Sequence, residues 1–547
     1  MTFKKLILGC LFFGISSCSH ERPADHPRNP ASNDNESGFT DLVVMNRNSD
    51  AYKSKRRLIQ SATQSIDLSY FIVGQDMTTA KLMLDVLGAV RTRSVKVRIL
   101  VDYFQSQDQL PLLLFLNQQP NVEVRRFRPP ERQWISLLNQ NGIHPGQFVV
   151  GLEDSNADLL QKALAKSPYG RIYAAKKAKT PDGDLGALVL KTLQDGSTFP
   201  SSVAIEAGLN RFFHRTHHKL MVIDGKCFQM GGRNLADEYN LEKQDVPTGW
   251  KGEYIFQDTD VSGCESDTHI QQDSFNRLWT SRFSVPATQD IYTAASRVAV
   301  PAAAIQALSR GGVEDLARTS PYGEDLQLSA DAVPLGSMRG RIVQNFPVDE
   351  GGALEILDEY LARIDAATES IDLVSAYFYA DDSFKEPRLN RLFELLKQKA
   401  QTGKTAVRVY TNSIGSTDLN MVNLVAFTKY PELIQSGVQL FEMSAAAGSL
   451  HTKSATFKGV DADGKPSNWL LIGSYNLDAR SHLFDTNNLL VLQDDDTGTA
   501  GAAFRLHRIE SLRQGGFWNS PDLAQETQII GAKTQKLQLL ETLHDML

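Results

Sequence analysis

Apolar positions along this chain follow two alternating periods. Short apolar runs at residues 66–73, 95–101 and 122–127 are rich in β-branched and aromatic side chains, which predicts strands. Longer stretches at residues 56–61 and 78–90 carry apolar residues at helical spacing. The same series returns later: a helix at 354–366, a strand at 371–379, a helix at 387–400, and strands at 406–410 and 438–441. Strands alternating with helices predict an α/β fold with a largely parallel core.

The two series are copies of one unit. Ser61-Ala62-Thr63-Gln64-Ser65-Ile66-Asp67-Leu68 recurs as Ala366-Ala367-Thr368-Glu369-Ser370-Ile371-Asp372-Leu373. Each copy then ends on matching polar residues. The first reads His217-His218-Lys219, five residues on Asp224, then Gly231-Gly232-Arg233-Asn234. The second reads His451-Thr452-Lys453, then Gly473-Ser474-Tyr475-Asn476. One His-x-Lys could arise by accident; two, in the same place of a repeated unit, form a motif. Two tandem α/β halves predict a pseudo-twofold pair around one shared active site.

These residues resemble the phospholipase D superfamily, and within it the bacterial cardiolipin synthases. The resemblance spans residues 42 to about 518 and includes Ser69-Tyr70-Phe71, Asn234-Leu235-Ala236-Asp237 and Asn476-Leu477-Asp478-Ala479. It implies a phospholipase D-type phosphatidyltransferase working through a covalent phosphohistidine. The alternatives are a hydrolase releasing phosphatidate, a metal-independent phosphodiesterase or nuclease, and a non-catalytic lipid-binding protein with a decayed second site.

Residues two apart on a strand face the same way, so His217 projects with Lys219, and His451 with Lys453. The lysines suit the non-bridging oxygens of a phosphodiester. One neutral imidazole can attack phosphorus, and the other, protonated, can supply the leaving alcohol with its proton. No cofactor and no metal is called for. Asn234 and Asn476 are expected to hold phosphate oxygens. Asp224, grouped with the catalytic residues by the motif, has the wrong strand parity for direct chemistry and reads as a brace beside the Asp224-Gly225 turn. The second unit has Lys458 in its place. Asp258, after the first motif, and Asn487, after the second, are expected to orient the histidines. An acid stabilises an imidazolium better than an amide does. This makes His217 the better-supported ring, hence the nucleophile, and His451 the general acid. His214 and His218 read as structural.

Composition narrows the setting. The 547 residues carry 57 Lys and Arg against 64 Asp and Glu, a net charge of −7, which argues against wrapping a nucleic acid. Four cysteines exclude a disulfide scaffold, and whether Cys227 and Cys264 pair stays open. Residues 1–18 have a basic start at Lys4 and Lys5, a short apolar run and small residues ending in Cys18, and look like a bacterial lipoprotein signal. Cys18 would then be lipidated, and Ser19 resembles the sorting pattern for the outer membrane, facing the periplasm. The lipid would anchor the protein to a membrane surface.

The expected organisation is a tether at 19–38, a first half at 39–285, a linker at 286–336, a second half at 337–520 and a C-terminal helix at 521–547. From Val97 to His217 is 120 residues and from Val407 to His451 only 44, so the first half holds an insertion at about 132–208. Both half-sites lie in one chain, which predicts a monomer acting on a phospholipid and an alcohol or water acceptor.

Overall fold

The computed structural model describes residues 36–128, 214–287, 313–346, 354–494 and 517–519, with short gaps inside these stretches. Cys18, the insertion expected at 132–208 and the C-terminal helix expected beyond residue 520 lie outside the described residues.

The first unit supplies β1 (Ser37–Met45), β2 (Ser65–Tyr70), β3 (Lys96–Asp102), β4 (Val122–Phe127), β5 (Arg215–Thr216), β6 (Lys219–Ile223), β7 (Cys227–Gly231), β8 (Phe256–Gln257), β9 (Asp260–Glu265) and β10 (Ser284–Pro286). The second supplies β11 (Val333–Asn345), β12 (Ala367–Ser375), β13 (Ala406–Asn412), β14 (Gln439–Met443), β15 (Ser449–Leu450), β16 (Lys453–Val460), β17 (Pro466–Gly473), β18 (Asp485–Asp494) and β19 (Phe517–Asn519). Pairing runs β10-β4-β3-β2-β6-β7-β9-β1-β11-β18-β17-β16-β12-β13-β14-β19, one continuous mixed sheet. The order reads the same from either end. β11 is the long central strand: its start pairs with β1 and its end with β18.

Only β2-β3-β4 and β12-β13-β14 run parallel in this sheet, so the core is less parallel than its strand–helix alternation implies. The reason is local. Beyond the parallel trio, β6 and β7 are joined by a tight turn in which Asp224 and Gly225 both take positive φ (53° and 67°). Tight turns produce antiparallel neighbours.

Alternation within the strands sets two faces. Met221 and Ile223 join the helix-covered core of the first unit, with Leu82, Met83 and Val86 of the helix Met77–Arg93. Leu220 and Val222 point the other way, into a core shared with Leu470, Ile472, Leu490 and Leu492 of the second unit. These faces of the two units thus pack on each other, with Phe275, Leu278 and Trp279 of the helix Ile270–Trp279 in the same core. Asp67 and Asp372, polar within apolar strands, are paired with Arg98 (2.6 Å) and Arg408 (3.2 Å) on the next strand.

The first helix begins at Asn48, eight residues before the apolar spacing signals it. Polar residues on its early turns are buried against specific partners, such as Lys55 on Asp260 at 2.7 Å. Within the stretch expected as a linker, helix Val313–Arg318 lays Val313 and Ala317 into the first unit's core. Cys227 and Cys264 face each other across β7 and β9 and form a disulfide spanning 37 residues. The open question about this pair is thereby answered.

A double Cys227→Ser, Cys264→Ser variant is expected to lose about 2–4 kcal/mol of stability, because the unfolded chain regains the freedom of that loop. Urea unfolding in oxidising buffer measures the loss, and an unchanged midpoint would contradict it.

Candidate active site

Two short parallel bridges carry the site. Arg215 and Thr216 of β5 pair with Asp485 and Thr486 at the start of β18. The next residues then meet. The His217 amide donates to the Thr486 carbonyl at 2.9 Å, and its ring Nδ1 lies 3.0 Å from Asn487 Oδ1. In the same way, Ser449 and Leu450 of β15 pair with Phe256 and Gln257 of β8. The His451 amide donates to the Gln257 carbonyl at 2.7 Å, and its Nδ1 lies 2.6 Å from Asp258 Oδ2. Each histidine is held, backbone and ring, by a segment of the other unit.

This corrects the pairing expected from sequence order. Asp258 backs His451, not His217, and Asn487 backs His217. Proximity along the chain suggested the opposite, but the bridges cross between units, so His451 and not His217 is the ring an acid supports, and the ground on which His217 was expected to be the nucleophile is lost.

The space around the two partners differs. A side chain at Gly232 would place its Cβ 2.3 Å from Asp258 Oδ1, so glycine is needed for the carboxylate to sit there. Ser474 holds the matching position in the second unit, and its hydroxyl donates to Asn487 Oδ1 at 3.1 Å. The Asn487 amide nitrogen donates to the carbonyls of Ser481 (3.1 Å) and Asp485 (3.4 Å).

His217, Lys219, His451 and Lys453 are all buried, at 8%, 1%, 5% and 1% exposure. They sense one another: burial first, then the Lys219 and Lys453 ammonium groups, push His217 well below the usual histidine range. Burial, then Lys453 and Lys219, does the same to His451. Burial and then Lys453 lower Lys219 strongly, while burial brings Lys453 down to about 8 against the pull of Asp258. Each lysine donates to the carbonyl of the histidine two residues before it, Lys219 at 2.8 Å. Aromatic rings line the surroundings. Phe71 meets His217 edge-on at 5.0 Å, and Tyr239 and Phe256 each lie 5.1 Å from His451. Tyr377 lies 6.0 Å from Lys453 and donates to Asp418 at 2.6 Å.

The remaining expected residues divide. Asn234 accepts from the Ile72 amide at 3.2 Å, whereas Asn476 Oδ1 is buried without a partner. Asp224 stands apart from the histidines. Its carboxylate accepts from the amides of Thr63, Gln64 and Ser65 and from the Thr63 hydroxyl, at 2.7–3.1 Å. Partial burial opposes its ionisation, but those donors prevail and hold the carboxyl below the usual range. Grouping Asp224 with the catalytic residues is therefore corrected: it pins the start of β2 to the β6–β7 turn. Lys458 serves the same joint with inverted charge, 3.0 Å from Glu369 of the repeated Thr-Glu-Ser segment. His214 and His218 are buried at 1% and 0% exposure, and burial then Lys219 lower His218 to about 3.

Sequence reasoning missed Arg233. It is fully buried and donates to the carbonyls of Met45 (3.2 Å), Asn46 (2.7 Å) and Asp258, locking the Asp258 backbone. Its signal was faint, one arginine inside a glycine-rich turn. Asp102 and Asn412, at equivalent ends of β3 and β13, hold the entries to the two motifs through Thr216 and Leu450.

Comparison with known proteins places this arrangement in context. Residues 360–503 match the family described as "Cardiolipin synthase, PLD-like domain". "Cardiolipin synthase C" of Escherichia coli (strain K12) is 23% identical over 478 residues, covering 84% of this chain and 82% of its own length. "Cardiolipin synthase A" of Pseudomonas fluorescens is 24% identical over 398 residues, covering 72% of this chain and 66% of its own. The crystal structure of phosphatidylserine synthase from Haemophilus influenzae Rd KW20 superposes with a TM-score of 0.52. It covers 93% of this chain and 97% of that one at 12% identity, a likeness of fold.

Removing the two braces should have unequal effects. Asp224→Ala is expected to cost roughly 2–3 kcal/mol, since several accepted hydrogen bonds vanish. Lys458→Ala, which removes a partly exposed ion pair, should cost under about 1 kcal/mol. Thermal unfolding compares them. Lys458→Asp is expected to leave turnover within a few-fold, and a gain of orders of magnitude would show that this position limits the chemistry.

Proposed function

We propose that this phospholipase D-like, cardiolipin synthase-like chain is a phosphatidyltransferase that acts on glycerophospholipids through a phosphohistidine. The observation that carries the reading is the reciprocal hold on the two histidines, each braced by the opposite unit beside two buried lysines. A pseudo-twofold arrangement around one shared site accounts for that reciprocity and for the palindromic strand order.

The chemistry follows from what the site holds. A phosphodiester supplies the negative charge that Lys219 and Lys453 lack, and the lysines stabilise its oxygens as charge builds in the transition state. With the anion bound, both imidazoles are freed from much of the repulsion that lowers them. One histidine attacks phosphorus through Nε2, and the other protonates the departing headgroup alcohol. In the second step the deprotonated ring accepts a proton from the acceptor, whose oxygen attacks phosphorus and releases the first histidine. A phospholipid hydroxyl as acceptor yields cardiolipin, and water yields phosphatidate.

Export as a lipoprotein anchored through Cys18 fits this substrate, and the disulfide between Cys227 and Cys264 supports an oxidising compartment. Among the described residues, no helix is long and apolar enough to cross a membrane.

Purified protein and a His217→Ala variant, given labelled phosphatidylglycerol, phosphatidylethanolamine or DNA with chelator present, test the reading. Cardiolipin from wild type, reduced at least a thousandfold in the variant, is expected. Phosphatidate alone identifies a hydrolase, cleaved DNA a nuclease, and absent turnover a lipid-binding protein.

Because burial and the lysines depress both histidines, binding of inorganic sulfate, which does not itself titrate near neutrality, should draw protons into the site at pH 7. Calorimetry in buffers of differing ionisation enthalpy reads that uptake, and proton release would contradict the electrostatics.

A further inference from the structure

The two histidines share a backbone setting but not a chemical one. His451 faces a carboxylate, and glycine at position 232 leaves room for it. His217 faces an amide, and a serine at position 474 fills the equivalent space and binds that amide. The two units differ at both positions: Gly with Asp in one, Ser with Asn in the other.

The amide's orientation is settled by its own partners. The Asn487 nitrogen is committed to the Ser481 and Asp485 carbonyls, so its oxygen faces the ring and the Ser474 hydroxyl. An amide oxygen can only accept, so His217 carries its proton on Nδ1 and presents a bare Nε2. Asn487 thereby orients the ring and supports positive charge on it only weakly, against burial and the two lysines. Asp258 does both for His451.

We propose that the Ser474–Asn487 pair is a positioning device that presents the bare Nε2 of His217 as the nucleophile and, by offering no counter-charge, leaves its phosphorylated form short-lived. The proposal rests on the phosphohistidine reading above. In the first step, the Nε2 lone pair of His217 forms the P–N bond as the P–O bond to the headgroup breaks. The headgroup oxygen takes the proton from His451. The phosphorylated ring keeps its Nδ1 proton and a positive charge that Asn487 does not neutralise. A cationic ring is a good leaving group. When the acceptor attacks and yields its proton to His451, the P–N electron pair returns to His217. An aspartate at position 487 would offset that charge and let the intermediate persist.

The test rebuilds the first unit's pair in the second. Asn487→Asp, alone and with Ser474→Gly, is compared with wild type, using radiolabelled phosphatidylglycerol and an alkaline detergent quench. The variants are expected to accumulate label on His217 at least tenfold above wild type, with lower kcat. The acidic limb of their kcat/KM profile should move up by about one pH unit or more, because a carboxylate raises the ring it contacts. Label on His451, or variants that turn over with unchanged label and pH profile, would overturn the proposal. Should the variants not fold, nitrogen-15 spectra of histidine-labelled wild type decide it. His217 with its proton on Nδ1 and neutral at pH 6 supports the device, and a protonated Nε2 refutes it. Failure of the transferase reading looks different: wild type then neither turns over phospholipid nor takes up label.

Discussion

Two buried ammonium groups repel each other at the centre of this protein, and most of the surrounding architecture answers that repulsion. Lys219 and Lys453 are each 1% exposed and each lowers the histidine of the opposite motif. Burying like charges near one another is unfavourable unless the frame is rigid and other groups compensate. The frame is a single sheet joined through β11, with the shared apolar core between its two halves. Compensation is deliberately incomplete: Asp258 and Asp485 favour the charged lysines, but burial still prevails. A bound anion would complete the balance, as the phosphodiester of the proposed reaction would.

Much of the fold was legible because its elements follow hydrophobic period. The repeated Ile-Asp-Leu strands and the helices after them lie where the pattern puts them. What escaped notice was polar burial. The helix from Asn48 hides its early turns because Asn48, Asp50 and Lys55 are buried through partners distant in sequence, such as Asp260. A period of apolar residues cannot report a lysine that is buried by a specific carboxylate. The antiparallel half of each unit was underestimated for a related reason: turn residues, rather than strand composition, set direction.

At the site, residue types were readable and partnerships were not. His-x-Lys on a strand announces its own geometry, since the period of two is local. The brace at Asp224 was legible too, from parity and the following glycine. Which partner backs which histidine depends on β5 meeting β18 and β15 meeting β8, contacts between segments 270 and 193 residues apart. Nothing in a linear pattern distinguishes that crossing from its opposite. Ser474 shows what such patterns can still offer. Its replacement of glycine becomes meaningful only once the space occupied by Asp258 is known.

The crossed bridges carry a consequence for how such a duplicated chain can diverge. Since each unit supplies the other's histidine with its partner, a substitution in one copy is expressed as altered chemistry in its sister. A change in the second copy at position 474 or 487 would therefore act on the first copy's ring. The two copies are coupled through these crossed partners, so a change in either reaches the histidine of the other.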